Sequence, residues 1–288
     1  MPLEVIDLCH SYKEGTPFVH EALQGINLYI DDGEFVGIIG PTRSGKSTLA
    51  QHFNALYIPR RGKVLIDGND TKDKNTDLVR LRHRVGYVFQ NPDYQLFAST
   101  VGEDVSFGPR RQNLPPEEIK ARVRESLELV GLDYEAFFKR DIYALSGGQK
   151  RRAAIAGVLA CKPRILVLDD ITAGLDPAGR EEILAVIARL HSENQITTIF
   201  VSSSMDDVSV LAERIIVMHE GRIIIDDTTR AVFSRADELE EIGLELPEVT
   251  VLVEKLRKLG YKLPPGLFNI EEAQAAIAMA LDQGRAEQ

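Results

Sequence analysis

The chain has 288 residues, 44% of them hydrophobic, and a formal net charge of −10. That size and apolar fraction suit one large domain, or one domain with a small appendage, and exclude wholesale disorder or a collagen-like fibre. The acidic balance offers no basic footprint for nucleic acid. Cys9 and Cys161 form neither a CxxC pair nor a metal-binding spacing, as expected of two reduced thiols.

The N-terminus, MPLEVIDLCHSYKEG, carries acids early and has no basic stretch ahead of an apolar one, so no signal peptide is expected. No uncharged apolar run is long enough to cross a bilayer. If such a chain works at a membrane, another protein must span it. EFVGIIG, Glu34 to Gly40, reads as a short buried strand, and GKSTLAQHFNAL as the start of a helix. GKVLIDGND, Gly62 to Asp70, reads as a strand ending in an Asp-Gly turn, and RVGYVFQ, Arg84 to Gln90, as a strand running into a polar loop. PPEEIKARVRESLELVGL opens on prolines, keeps helical spacing and closes on Gly131. RRAAIAGVLACKP is a small-residue helix stopped by Pro163. RILVLDD is a buried strand, AGREEILAVIARLHSE an amphipathic helix, QITTIFVSS the next strand, and RIIVMHEGRIII a hairpin turning at Glu220-Gly221.

Strands alternating with helices predict an α/β core with a mainly parallel sheet over residues 1–235. Beyond about Arg235 the chain turns rich in charge and helix formers, divided by Pro247, Pro264 and Pro265. Residues 236–288 are expected to form a small helical appendage with a frayed tail.

Three motifs carry chemistry. GPTRSGKS, Gly40 to Ser47, fits the phosphate loop G-x-x-x-x-G-K-[ST] and lies between a predicted strand and a predicted helix. In that context backbone N–H groups from Gly40, Thr42, Arg43, Ser44 and Gly45 through to Thr48 at the helix start face phosphates. Lys46 should reach the β- and γ-phosphates, and the Ser47 hydroxyl should face Mg²⁺. The competing reading is a glycine-rich turn without a ligand. Asp169 ends a buried strand, where a carboxylate opposite a phosphate loop suits Mg²⁺; a helix N-cap is the alternative. LSGGQKRR, Leu145 to Arg152, sets Ser146, Gly147 and Gly148 just before a helix, either as a second anion site or as an ordinary N-capped start. Two anion sites for one nucleotide suggest a sandwich of two protomers.

A phosphate loop, then LSGGQ, then an aspartate-ended strand resemble the ATP-binding cassette (ABC) family, and the resemblance covers residues 1 to about 235. It implies a P-loop NTPase fold with a mainly parallel core, an antiparallel β subdomain and a helical subdomain. It implies ATP and Mg²⁺ as cofactors, and a head-to-tail dimer with two ATPs at the interface. Ser146 to Gln149 would then contact the partner's nucleotide. Tyr12 fits the aromatic that stacks on adenine, with a core tyrosine as the alternative. Gln90 fits the glutamine that touches Mg²⁺ and relays to the membrane partner, and Asp176 the loop that crosses the dimer interface.

EGTPFVHEALQGINL and NPDYQLFASTVGEDVSFGP are similar to the energy-coupling factor (ECF) subfamily, which takes up vitamins and transition-metal ions. Its members imply a peripheral place at the cytoplasmic face of the cell membrane, on a transmembrane scaffold that holds a separate substrate-binding subunit. Pro92 to Phe97 corresponds to the helix that receives the scaffold, and the appendage to a segment joining the two cassettes.

Three positions depart from the family pattern. Asp170 stands where a glutamate polarises the attacking water. Ser203 stands where a histidine contacts the γ-phosphate. Arg43 replaces a glycine, and either strains the loop or adds charge to it. Asp170 and Ser203 both bear on hydrolysis, whereas LSGGQ is intact. The preferred expectation is a heterodimer in which this chain's own site turns over slowly; a homodimer is the rival. A DNA-repair ATPase would need a long coiled coil in the roughly 100 residues between Lys46 and Leu145, too few for one. A translation factor would carry two cassettes, and a GTPase or kinase leaves LSGGQ unexplained.

Overall fold

A computed structural model describes residues 2–286. β1 (Leu3–Tyr12) and β2 (His20–Ile30) pair antiparallel, and β2 in particular alternates buried and exposed side chains. β3 (Phe35–Ile39) is buried at all five positions, as a strand covered on both faces must be. The phosphate loop leads into α1 (Lys46–Phe53). β4 (Arg61–Ile66) and β5 (Asn69–Asp70) form a tight hairpin. Asp67 and Gly68 turn it, both at positive φ, as a two-residue loop requires. α2 (Leu78–Arg84) is capped by Asp77 and feeds β6 (Val85–Val88).

α3 (Val101–Arg111), α4 (Pro116–Leu129), α5 (Tyr134–Phe137) and α6 (Gly147–Leu159) build a helical layer. β7 (Ile165–Asp169), α7 (Pro177–Asn194), β8 (Thr197–Val201), α8 (Met205–Leu211), β9 (Arg214–His219) and β10 (Arg222–Thr228) complete the core. α9 (Thr229–Phe233), α10 (Ala236–Glu241), α11 (Glu248–Lys258) and α12 (Ile270–Ala286) close the chain.

The larger sheet runs β10-β9-β3-β8-β7-β6, parallel throughout except for the β9–β10 hairpin at its edge. A second, antiparallel sheet runs β2-β1-β4-β5. The fold is therefore the expected α/β cassette architecture. Alternate residues of the parallel strands serve different cores, because strand side chains alternate faces. Phe35, Ile39, Leu166 and Leu168 pack with α3, α4, α6 and α7. Val36, Ile38, Ile165 and Val167 pack with Leu49 and Phe53 of α1 and with Leu3, Leu8 and Ile26 of the antiparallel sheet. The phosphate loop is thus held between the two sheets.

One local expectation changes, and one helix appears where none was read. Pro92 to Phe97 is not a helix: only Pro92–Tyr94 makes a 3₁₀ turn. Tertiary bonds hold the rest in a loop. Gln95 accepts from Phe89 N and donates to Ala154 O, while Asp104 accepts from Phe97 N and Ala98 N. α3, by contrast, carries Gly102, Gly108 and Pro109, which hide its helical character, yet Thr100 and Glu103 cap it reciprocally.

In the appendage, Val253, Leu263, Leu267 and Ala273 form a small core of their own, while Ala236, Leu239, Leu244 and Leu246 still belong to the main one. The last two residues of the expected frayed tail lie outside the described residues. Among the described residues no helix is long and apolar enough to cross a membrane.

Candidate active site

The phosphate loop leaves β3 and turns into α1 where other chain segments leave no room for side chains. A Cβ on Gly40 would lie 2.2 Å from the Met218 carbonyl oxygen. Gly45, at φ 102°, would put one 2.5 Å from the Ala22 carbonyl oxygen. The β9–β10 turn supports the loop from outside, through Gly221 N to Ser44 O at 3.0 Å. Arg43 does lie in the left-handed region, at φ 69°. Ser44 Oγ is buried without a hydrogen-bond partner beneath the loop. Thr42 is exposed and Thr48 buried.

Lys46 Nζ donates to the carbonyls of Gly40 (2.7 Å) and Pro41 (3.0 Å), which leaves one of its three protons for a further acceptor. Burial pushes the Lys46 pKa down, and the carboxylates of Asp170 and Asp169 oppose that shift. Tyr12 Oη and Thr48 Oγ1 share a hydrogen bond of 3.0 Å, and the Tyr12 ring meets His10 edge-on at 4.7 Å. That contact ties the end of β1 to the start of α1.

β7 runs parallel between β6 and β8 and delivers two acids to its C-terminal end. Asp169 is not a helix cap. It is 4% exposed and accepts from Ser47 Oγ (3.0 Å) and Tyr87 Oη (2.6 Å). Burial raises its pKa despite these two bonds, and the same burial followed by the Asp169 charge raises that of Tyr87. A buried carboxylate beside a hydroxyl supplies the hard oxygens that a small divalent cation takes. Among the described residues no group of three or more His, Cys, Asp or Glu side chains could hold a metal unaided. A cation here would need oxygens from a bound phosphate as well.

Asp170 leaves the strand at φ 49°, a conformation aspartate tolerates better than most residues. Its Oδ2 accepts from Gln90 Nε2 at 3.0 Å, and its Oδ1 from Ser203 N at 3.2 Å and Ser203 Oγ at 3.0 Å. Gln90, Asp170 and Ser203, distant in sequence, therefore form one cluster beside Asp169, Ser47 and Lys46. Those six sit at the C-terminal ends of parallel strands, where open α/β sheets bind ligands.

Ser146 and Gln149 form a reciprocal capping box at the start of α6. Gly147 and Gly148 have neither positive φ nor any atom within 4 Å of an added Cβ. Nothing in this chain requires glycine there. Asp176 caps α7, with Oδ1 accepting from Gly179 N at 2.8 Å. Tyr87 and Arg151 were not singled out in the sequence. Tyr87 reads there as an ordinary strand residue, and no local pattern announces its bond to Asp169.

A strand–loop–helix phosphate cradle faced by two strand-end acids defines a P-loop nucleotide triphosphatase. The family model described as ABC transporter matches residues 23–173, and the chain belongs to that family. It is 50% identical to the energy-coupling factor transporter ATP-binding protein EcfA2 of Symbiobacterium thermophilum over 96% of each chain. It is 47% identical to EcfA1 of the same organism, over 92% of this chain and 91% of that one. Among solved structures it superposes on cbiO1 of Clostridium perfringens, described as part of the ABC transporter complex cbiONQ, with TM-score 0.73 and 39% identity. That match covers 88% of this chain and 98% of the other. A dimeric ATP-binding cassette in a post-hydrolysis state with ADP and Pi matches with TM-score 0.71 and 32% identity, over 78% and 98%.

Proposed function

We propose that this chain is the ATP-hydrolysing subunit that energises an ECF-type membrane importer, of the class that takes up vitamins or transition-metal ions. The observation that carries the reading is the convergence of Lys46, Ser47, Gln90, Asp169, Asp170 and Ser203 on one end of the sheet, in a chain whose relatives are named as ECF transporter subunits.

Backbone N–H groups of the loop and the N-terminus of α1 bind the phosphates, Lys46 bridges them, and Tyr12 backs the adenine. Ser47, Asp169 and Gln90 would hold Mg²⁺, and the ion would supply positive charge to the phosphates. Asp170 polarises the attacking water, with Ser203 beside it. The open glycines of the LSGGQ stretch leave space for an opposing nucleotide, which supports a head-to-tail dimer in which Ser146 to Gln149 and Asp176 face the second cassette.

A heterodimer is favoured. Asp170 is one methylene shorter than the usual glutamate, and misplacing a catalytic group by about 1 Å costs on the order of a hundredfold in rate. Relatives named EcfA1 and EcfA2 occur within one organism, which supports a pair of unlike cassettes.

Docking to a membrane scaffold is supported by a groove between the parallel sheet and the helical layer, lined by Leu56, Phe89, Phe97, Phe107, Val158 and Cys161. Phe97 is 61% exposed there. The scaffold would place the chain on the cytoplasmic face of the membrane.

The test is co-purification of the tagged chain from detergent-solubilised cells. A membrane protein and a second cassette should accompany it, and Phe97→Asp should release the membrane protein while the cassettes stay paired. Recovery with nucleic acid or ribosomes instead would refute the transport reading.

A further inference from the structure

One buried guanidinium joins three separate segments of the candidate site. Arg151 lies in α6, whose N-terminus is the LSGGQ stretch, and is 7% exposed. Its Nη1 donates to Gln90 O at 2.9 Å and, more weakly, to Asp170 O at 3.5 Å. Its Nη2 donates to Ala173 O at 3.2 Å. Its Nε is buried without a partner.

As a stabilising device this is poor. Taking a cation out of water is costly, and carbonyls return less of that cost than a carboxylate would. Burial accordingly pushes the Arg151 pKa down, with the nearby Asp170 charge opposing. What the side chain offers is shape. A planar fork of donors reaches three carbonyls from separate nitrogens, whereas a lysine would offer its three protons from a single point.

The carbonyls it reaches are well placed for control. Gln90 and Asp170 are hydrogen-bonded to each other through their side chains, and Arg151 grips both of their backbones. Asp170 follows the last residue of β7; on its other side its N–H is held by Val201 O at 2.8 Å. Ala173 stands in the turn that leads to Asp176 and α7. A shift of α6 along its axis therefore pulls on Gln90, on Asp170 and on that turn together.

We propose that Arg151 is a positioning residue that couples the LSGGQ helix of this chain to the chain's own Gln90–Asp170 pair. Engagement of Ser146 to Gly148 by the nucleotide of the opposing cassette then sets the geometry of hydrolysis in this chain's own site. The inference rests on the ATPase-dimer reading above.

Arg151→Lys keeps the charge and loses the fork; Arg151→Met keeps the length and loses the charge. Both are measured in the chain purified with its dimer partner. Where that partner is a different cassette, the acid at its position equivalent to Asp170 is replaced, so that its nucleotide stays bound and turnover reports this chain's site. Calorimetry with ATP and Mg²⁺ should give affinities within about threefold of the parent, while turnover falls at least about tenfold. In an Asp170→Ala background Arg151→Lys should change turnover less than about twofold, because a residue that acts through Asp170 has nothing left to position.

Equal losses with and without Asp170 would mean a merely structural role and overturn the inference. So would a fall in turnover matched by a fall in affinity, or turnover unaffected by both variants. If Asp170→Ala itself left turnover unchanged, the assignment of the base would fail and this inference with it. A loss on Asp170→Ala with none on Arg151→Lys would overturn the inference alone.

Discussion

Ser203 binds Asp170 twice, through its backbone N–H at 3.2 Å and its hydroxyl at 3.0 Å, both to Oδ1. The two positions that depart from the family pattern at the hydrolytic step are thus in direct contact, and Gln90 takes the other carboxylate oxygen. The shorter acid is drawn toward Ser203 and Gln90, and a water has to compete for its lone pairs. Replacing both, Asp170→Glu with Ser203→His, should raise turnover by at least about tenfold, with ATP affinity within about threefold. Steady-state hydrolysis by the purified dimer measures this. Unchanged turnover would end the idea of a weak site.

Asp169 sets stability against function. Burial disfavours its charge, so the carboxylate at pH 7 destabilises the fold relative to a neutral residue of the same shape. Asp169→Asn should raise the melting temperature of the nucleotide-free chain. It should also abolish the gain in ATP affinity that Mg²⁺ confers, leaving binding in EDTA unchanged. A lower melting temperature, or a preserved Mg²⁺ effect, would show that the carboxylate serves the fold instead.

Arg43 occupies the left-handed region at φ 69° in the phosphate loop. Relief of strain by Arg43→Gly, about 1 kcal/mol, is largely offset by the greater freedom of glycine in the unfolded chain. Denaturant unfolding should show a change of no more than about 0.5 kcal/mol. Arg43→Val, β-branched at positive φ, should be destabilised by over about 1 kcal/mol. Equal stabilities for the glycine and valine variants would mean that the loop does not need this conformation.

His52 is buried in α1 and donates from Nδ1 to Thr48 O at 2.7 Å, which leaves Nε2 bare. Burial pushes its pKa down to about 4. The unfolded chain therefore takes up this proton first as pH falls. The associated stability is present above about pH 6.5 and is lost on acidification toward pH 4, by on the order of 3 kcal/mol. Other groups titrate in the same window, so the informative quantity is a difference. His52→Gln should lose about that much less stability than the parent between pH 7 and pH 4. Parallel pH profiles would show that His52 is not held neutral.

The architecture was legible in the sequence because it rests on local signals. β3, β7 and β8 are short apolar runs, the hairpins turn at Asp67-Gly68 and Glu220-Gly221, and the phosphate loop stands between a strand and a helix. α3 escaped notice because two glycines and a proline mask its period, and its stability comes from a cap and from packing on α6. The residues after Gln90 read as a polar loop, and only the resemblance implied a helix at Pro92 to Phe97. The bonds that hold the segment open come from Ala154 and Asp104, which local sequence does not announce.

Motif spacing, a property of the chain, named Lys46, Ser47 and Asp169 as candidates, and the resemblance to the ABC family added Gln90, Asp170 and Ser203. Only the tertiary structure decided that Ser203 grips Asp170, that Tyr87 holds Asp169, and that Arg151 ties Gln90 and Asp170 to the helix behind LSGGQ. Those partners lie on different strands and helices, and their meeting depends on strand order and register. A hydrogen bond fixed over three ångströms leaves no trace in residues spaced tens of positions apart.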